Sequence, residues 1–147
     1  MKRAPGKKAR VAASPAREPD LAPLSQLARQ ARRRAFAPFS GFKVGAALRT
    51  RTGEVVTGCN IENASYGLTL CAERVAVFKA VSEGMRRFDA IAVVADSKRL
   101  TPPCGPCRQI LWEFCGDIWV HMADLRGRTR TMRLAELLPF PFDRSNL

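Results

Sequence analysis

Acidic residues are scarce in this chain, its first 35 positions hold no aromatic residue, and no long apolar run occurs anywhere. The 147 residues carry 13 Asp and Glu against 25 Lys and Arg, a formal charge of +12. Residues 1–34 hold ten of the basic side chains and only two acids, Glu18 and Asp20, so the front end supplies most of the excess. Single-strand binders interleave cations with aromatic platforms on which bases stack. A basic front without aromatics therefore reads as a solvated extension rather than a nucleic-acid contact. A membrane span needs roughly 20 apolar residues, and none is present. The front also lacks the apolar stretch of a secretory signal, so the cytoplasm is the expected compartment. The five cysteines are odd in number. Cytoplasmic thiols stay reduced, which argues against a disulfide framework and for metal or catalytic work.

Hydrophobic residues still make up 46% of the chain, enough for a core. Residues 1–20, MKRAPGKKARVAASPAREPD, show no apolar period and read as a disordered basic tail. Residues 21–147 read as one domain. A first helix is expected over residues 23–37, with Leu24, Leu27, Ala28, Ala31 and Ala35 on one face, Ser25 as an alternative cap, and Pro38 as the stop. FKVGAALRT and EVVTGCNIE flank RTGE and predict a β-hairpin. CAERVAVFKAVSEG predicts a helix stopped by Gly84, and FDAIAVVAD a buried strand. CGPCRQILWEFCG predicts another helix ending at Gly116. DIWVHMAD and RTMRL read as strands, and LAELLPF as a short last helix. Strands separated by helices require crossovers. The expected fold is α/β, a three-layer α/β/α arrangement around a five-stranded mixed sheet.

Cys71 opens one predicted helix, while Cys104 and Cys107 open another, and the strand over residues 88–96 lies between them. Functional groups in α/β sheets gather beyond strand ends, where helices begin. Helix N-termini carry partial positive charge that favours thiolate over thiol. The three cysteines are thus a ready ligand set for Zn²⁺. Structural zinc sites close with four protein ligands, whereas catalytic ones leave a place for water. Cys59, Cys115 and His121 do not stand at metal spacing from the three, so the count favours an open site. Glu73, two residues past Cys71, is placed to accept a proton from a metal-activated water and pass it to a substrate nitrogen. Arg74, one helical turn beyond Cys71, is placed to donate to cysteine sulfur and offset the negative charge of a thiolate-rich centre.

CAERVAVFKAVSEG together with PCGPCRQIL, FSGFKVGAAL and GCNIENASYG resembles the zinc-dependent cytidine deaminases of pyrimidine salvage, from about residue 24 to the end. The resemblance implies zinc on Cys71, Cys104 and Cys107, with Glu73 as the proton shuttle. It implies attack of activated water on C4 of cytosine and release of ammonia. It implies that Asn60 and Glu62 bind a ribose hydroxyl, that Phe42 packs on the base, and that the backbone of Ala72 contacts it. It further implies a homotetramer in which Phe142 of a neighbouring copy closes the pocket, with Phe140 as a competing assignment. The expected substrate is a small pyrimidine nucleoside, cytidine or deoxycytidine. Polynucleotide deaminases carry His in H-x-E where this chain has Cys71. A cytosine-containing antibiotic nucleoside fits less well, because the GCNIEN segment suits an ordinary ribose. A non-catalytic zinc module would need a fourth protein ligand.

Overall fold

A computed structural model describes residues 17–147, and the tail expected over residues 1–20 lies outside the described residues up to position 16. The RTGE turn joins β1 (Val44–Thr50) to β2 (Val55–Cys59) as an antiparallel hairpin, with Gly45 opposite Cys59. Gly53 takes the positive φ, +95°, that the turn requires. On its other side β1 pairs antiparallel with β3 (Phe88–Ala95), Val44 facing Ala95. Next come β4 (Trp119–Ala123), parallel to β3, and β5 (Thr129–Arg133), antiparallel to β4. The sheet order is β2-β1-β3-β4-β5, so it is mixed and five-stranded as expected.

Helices cover both faces. α1 (Ala22–Arg32) lies on one, and α2 (Ala72–Ser82) and α3 (Gly105–Cys115) on the other. The near-continuous apolar run of β3 now has its reason. Ile91, Val93 and Ala95 pack under α2 and α3 with Val77 and Leu111, while Ala90, Ala92 and Val94 pack under α1 with Leu24 and Ala28. Full burial of side chains such as Ile91 and Leu111 stabilises the fold by about 1.5–3 kcal/mol each. A short α4 (Leu134–Leu137) follows β5. No helix among the described residues is long and apolar enough to cross a membrane.

α1 departs from expectation. It ends at Arg32 rather than continuing to residue 37. The reason is a long-range pairing: Phe36 N–H donates to the Asn60 carbonyl at 3.0 Å, and Glu62 N–H donates to the Phe36 carbonyl at 2.8 Å. Ser25 does not cap the helix but lies inside it, and the Asp20 carboxylate accepts from Ala22 N–H at 3.0 Å. Leu24, Ala28 and Ala31 are buried, but Leu27 is 37% exposed and leaves the core face.

The pairing gathers several chain segments at one end of the sheet. Val44 begins β1 beside Ala95, which ends β3, and Cys59 ends β2 beside Gly45. α2 begins at this end because it must run the length of the sheet before the chain enters β3. α3 begins there because it opens just past the end of β3. α2 sits unusually close to the hairpin. A Cβ added at Gly58 would stand 2.5 Å from the Ala72 carbonyl oxygen and 2.6 Å from Ala76 N. Both obstacles are backbone, so the helix itself would have to move. Gly58→Ala is expected to lower stability by about 1–3 kcal/mol, the usual cost of overpacking, read as a lower urea midpoint at unchanged slope. An unchanged midpoint would show that α2 can yield without cost.

Candidate active site

Cys71 and Cys104 are the N-cap residues of α2 and α3, each with extended backbone (φ −70°, ψ 154° and φ −66°, ψ 167°). Pro106 follows Cys104 in the first turn of α3, where its missing N–H costs nothing and its fixed φ favours the helical start. Cys107, one turn in, is fully buried. The three sulfur atoms lie within 4.8 Å of one another, and Cys71 Sγ is 3.8 Å from Cys104 Sγ. Hydrogen bonding from Cys107 and then from Arg74 pulls the Cys71 thiol down to about 5, against the opposing effect of burial. The same sharing, together with burial, pushes Cys107 upward.

This donor set fits zinc. Three soft sulfur ligands converge at two positive helix ends, and the Cys71–Cys104–Cys107 group is the one metal-competent cluster found among the described residues. Cys115 is held elsewhere in α3, with its thiol pushed up to about 12 by burial. His121 sits in β4 with Nδ1 2.9 Å from the Thr131 hydroxyl. Neither closes the site.

Glu73 is 4% exposed, beside the sulfurs. Burial pushes its carboxyl up to about 7, helped by the charge on Cys71 and opposed by a backbone hydrogen bond and Arg74. A carboxyl in that range can both accept and return a proton near neutral pH. Arg74 donates from Nη2 to the Thr69 carbonyl at 2.9 Å and to Cys71 Sγ at 3.4 Å. The contact expected from its spacing is therefore made.

A cavity of about 250 Å³ opens onto these groups. Phe42, Asn60, Glu62, Ala72 and Glu73 line it, together with Cys71 and Cys104. Four segments distant in sequence thus meet, brought together at the sheet end described above. Asn60 is firmly held: its Oδ1 accepts from Val44 N–H at 2.8 Å, and its Nδ2 donates to the Phe42 carbonyl at 2.8 Å. Glu62 accepts from Phe39 N–H at 2.8 Å, from Ser40 N–H at 3.2 Å and from the Ser40 hydroxyl. Phe142 is not brought to the cavity of its own chain. It stands 62% exposed, its carbonyl accepting from Gln109 Nε2 at 2.8 Å, and Phe140 is fully exposed.

Five further residues line it that sequence reasoning does not single out: Ser40, Val44, Thr69, Thr101 and Pro102. Ser40 sits inside the FSGF stretch already singled out, and Pro102 stands two residues before Cys104, so position near a marked motif was the available signal.

The family model described as the cytidine and deoxycytidylate deaminase zinc-binding region matches residues 20–122. The chain is 56% identical over 114 residues to a cytidine deaminase of Halalkalibacterium halodurans, covering 77% of this chain and 86% of the relative. It is 46% identical over 129 residues to a cytidine deaminase of Sporosarcina psychrophila, covering 87% and 95%. The crystal structure of a cytidine deaminase from Burkholderia pseudomallei superposes with a TM-score of 0.80 at 46% identity, over 82% of this chain and 97% of that one. The match across most of the chain, with a sulfur cluster built for the metal, means that this protein belongs to the cytidine and deoxycytidylate deaminase family and takes Zn²⁺ as its cofactor.

Proposed function

We propose that this chain is a zinc-dependent cytidine deaminase that hydrolyses cytidine and deoxycytidine to uridine and deoxyuridine plus ammonia, in pyrimidine salvage. The observation that carries the reading is the buried Glu73 carboxyl beside three sulfurs that lie within 4.8 Å of one another, with Glu73, Cys71 and Cys104 lining a cavity of about 250 Å³.

Cys71, Cys104 and Cys107 would hold the metal. When bound, zinc supplies a positive centre that lowers the pKa of a water toward about 7. Arg74, donating to Cys71 Sγ, offsets the negative charge of three thiolates. Glu73 accepts a proton from the attacking water and delivers it to N3 of the ring. A second transfer through Glu73 protonates the exocyclic amine. The water oxygen bonds to C4, the C4–N bond breaks, and the two water protons end on N3 and on departing ammonia. Phe42 packs against the base, and the Ala72 backbone at the N-terminus of α2 meets its polar edge. Asn60 and Glu62 face the sugar hydroxyl. Thiols that must stay reduced to hold metal suit the cytoplasm.

A homotetramer is proposed as the working form, with Phe142 of a neighbouring copy closing the cavity. The exposure of Phe140 and Phe142, of Phe42 at the cavity and of Phe39 nearby in sequence supports an assembly that buries them.

An absorbance assay of the zinc-loaded protein is expected to show turnover of cytidine and deoxycytidine, and none of single-stranded DNA. Activity confined to DNA would reverse the reading. In the same assay Glu73→Gln should lose about 10²–10⁴-fold in kcat while retaining its zinc, measured by atomic absorption. Full activity in that variant would remove Glu73 from the reaction. Phe142→Ala should raise KM about tenfold with the melting temperature unchanged. An unchanged KM would assign the closing role elsewhere.

A further inference from the structure

Glu62 and Asn60 reach the cavity from the chain just beyond β2, yet most of their hydrogen-bonding capacity is already engaged. An ionised carboxylate offers about four acceptor positions. Phe39 N–H and Ser40 N–H occupy two on Oε2, and the Ser40 hydroxyl occupies one on Oε1. The acceptor position that remains is on Oε1. Asn60 spends one Nδ2 proton on the Phe42 carbonyl, and its Oδ1 holds Val44 N–H. Its other N–H is the single donor the pair has left. Together they complement one group that accepts from Asn60 and donates to Glu62, which is a free hydroxyl. A phosphate ester at that place has no proton to give and would set negative charge against an ionised acid.

Ser40 governs this arrangement. It lies in the turn before β1, and its Oγ accepts from Phe42 N–H at 3.0 Å. That bond directs the hydroxyl proton toward Glu62. A continuous line then runs from the backbone of Phe42 through Ser40 to Glu62, joining the base-packing ring to the acid that faces the sugar. The Ser40 hydroxyl is also the foremost reason that the Glu62 carboxyl is held below its ordinary range, with Phe39 and Ser40 backbone N–H groups adding to it and desolvation opposing it.

We propose that Ser40 is a positioning residue that locks Glu62 onto one free sugar hydroxyl, and so selects nucleosides over substrates that lack or esterify that hydroxyl. The inference rests on the function proposed above. Ser40 makes no contact with the reacting atoms; it acts through Glu62.

The test compares cytidine, 2′-deoxycytidine and 3′-deoxycytidine with the wild-type chain, Ser40→Ala and Ser40→Thr. Ser40→Ala should lower kcat/KM for cytidine about tenfold, mainly through KM, the loss of a hydrogen bond to a charged group. It should change the value for the analogue lacking the read hydroxyl by less than about twofold, so that the selectivity ratio falls about tenfold. Ser40→Thr keeps the hydroxyl and should restore the ratio. An equal loss on all three nucleosides in Ser40→Ala would mark a merely structural role and overturn the proposal, as would an unchanged ratio. Should the alanine variant fold poorly, Ser40→Gly, which also lacks the hydroxyl, must show the same collapse of the ratio or the proposal is overturned. Wild-type turnover of cytidine separates the two claims. Its absence overturns the deaminase reading and this inference with it, whereas its presence with unmoved selectivity overturns this inference alone.

Discussion

Two helices open at the same end of one buried strand, and the chemistry depends on that meeting. β3 is apolar on both faces, so it must lie in the middle of the sheet with helices above and below. Its end is therefore the place where α2 starts, α3 starts, β1 begins and β2 finishes. Cys71, Cys104, Phe42 and Asn60 come from four separate stretches and meet there without any one loop having to be long. The positive ends of both helices point at the sulfurs, so the same geometry that packs the core also favours thiolate. Gly58 is the packing condition for this meeting, because a side chain there would strike the first turns of α2.

The electrostatics of the site follow from burial. Three sulfurs crowded within 4.8 Å cannot all ionise without a cation among them. Cys71 is pulled down and Cys107 pushed up as they share protons. A divalent ion resolves that competition, which is the sense in which the fold asks for a metal. Glu73, almost fully buried beside them, is poised near neutrality, while Glu62, elsewhere in the cavity lining, is hydrogen-bonded toward its ionised form. Two carboxylates of one cavity are thus pushed in opposite directions, because burial dominates at Glu73 while the Ser40 hydroxyl, aided by backbone N–H groups, dominates at Glu62.

Much of this was legible in the residue order. The C-x-E and P-C-x-x-C spacings place three thiols and an acid at helix starts, and the hairpin, β3 and the mixed sheet follow from period and turn chemistry. The misreadings share one cause. The end of α1 at Arg32 depends on Phe36 pairing with residues 60–62, a contact that local period cannot reveal. The engagement of Asn60 with Val44 and Phe42, and of Glu62 with Ser40, is likewise a product of tertiary proximity. Residue type marked these positions, but only the folded chain says which of their hydrogen bonds are already spent.

The central claim is a metal held by three sulfurs of this chain with its remaining position free for solvent. X-ray absorption at the zinc edge of the purified protein measures that coordination directly. The account predicts about three sulfur neighbours at roughly 2.3 Å and one lighter atom at about 2.0 Å. Four sulfurs, or full deaminase activity in protein stripped of metal, would contradict it.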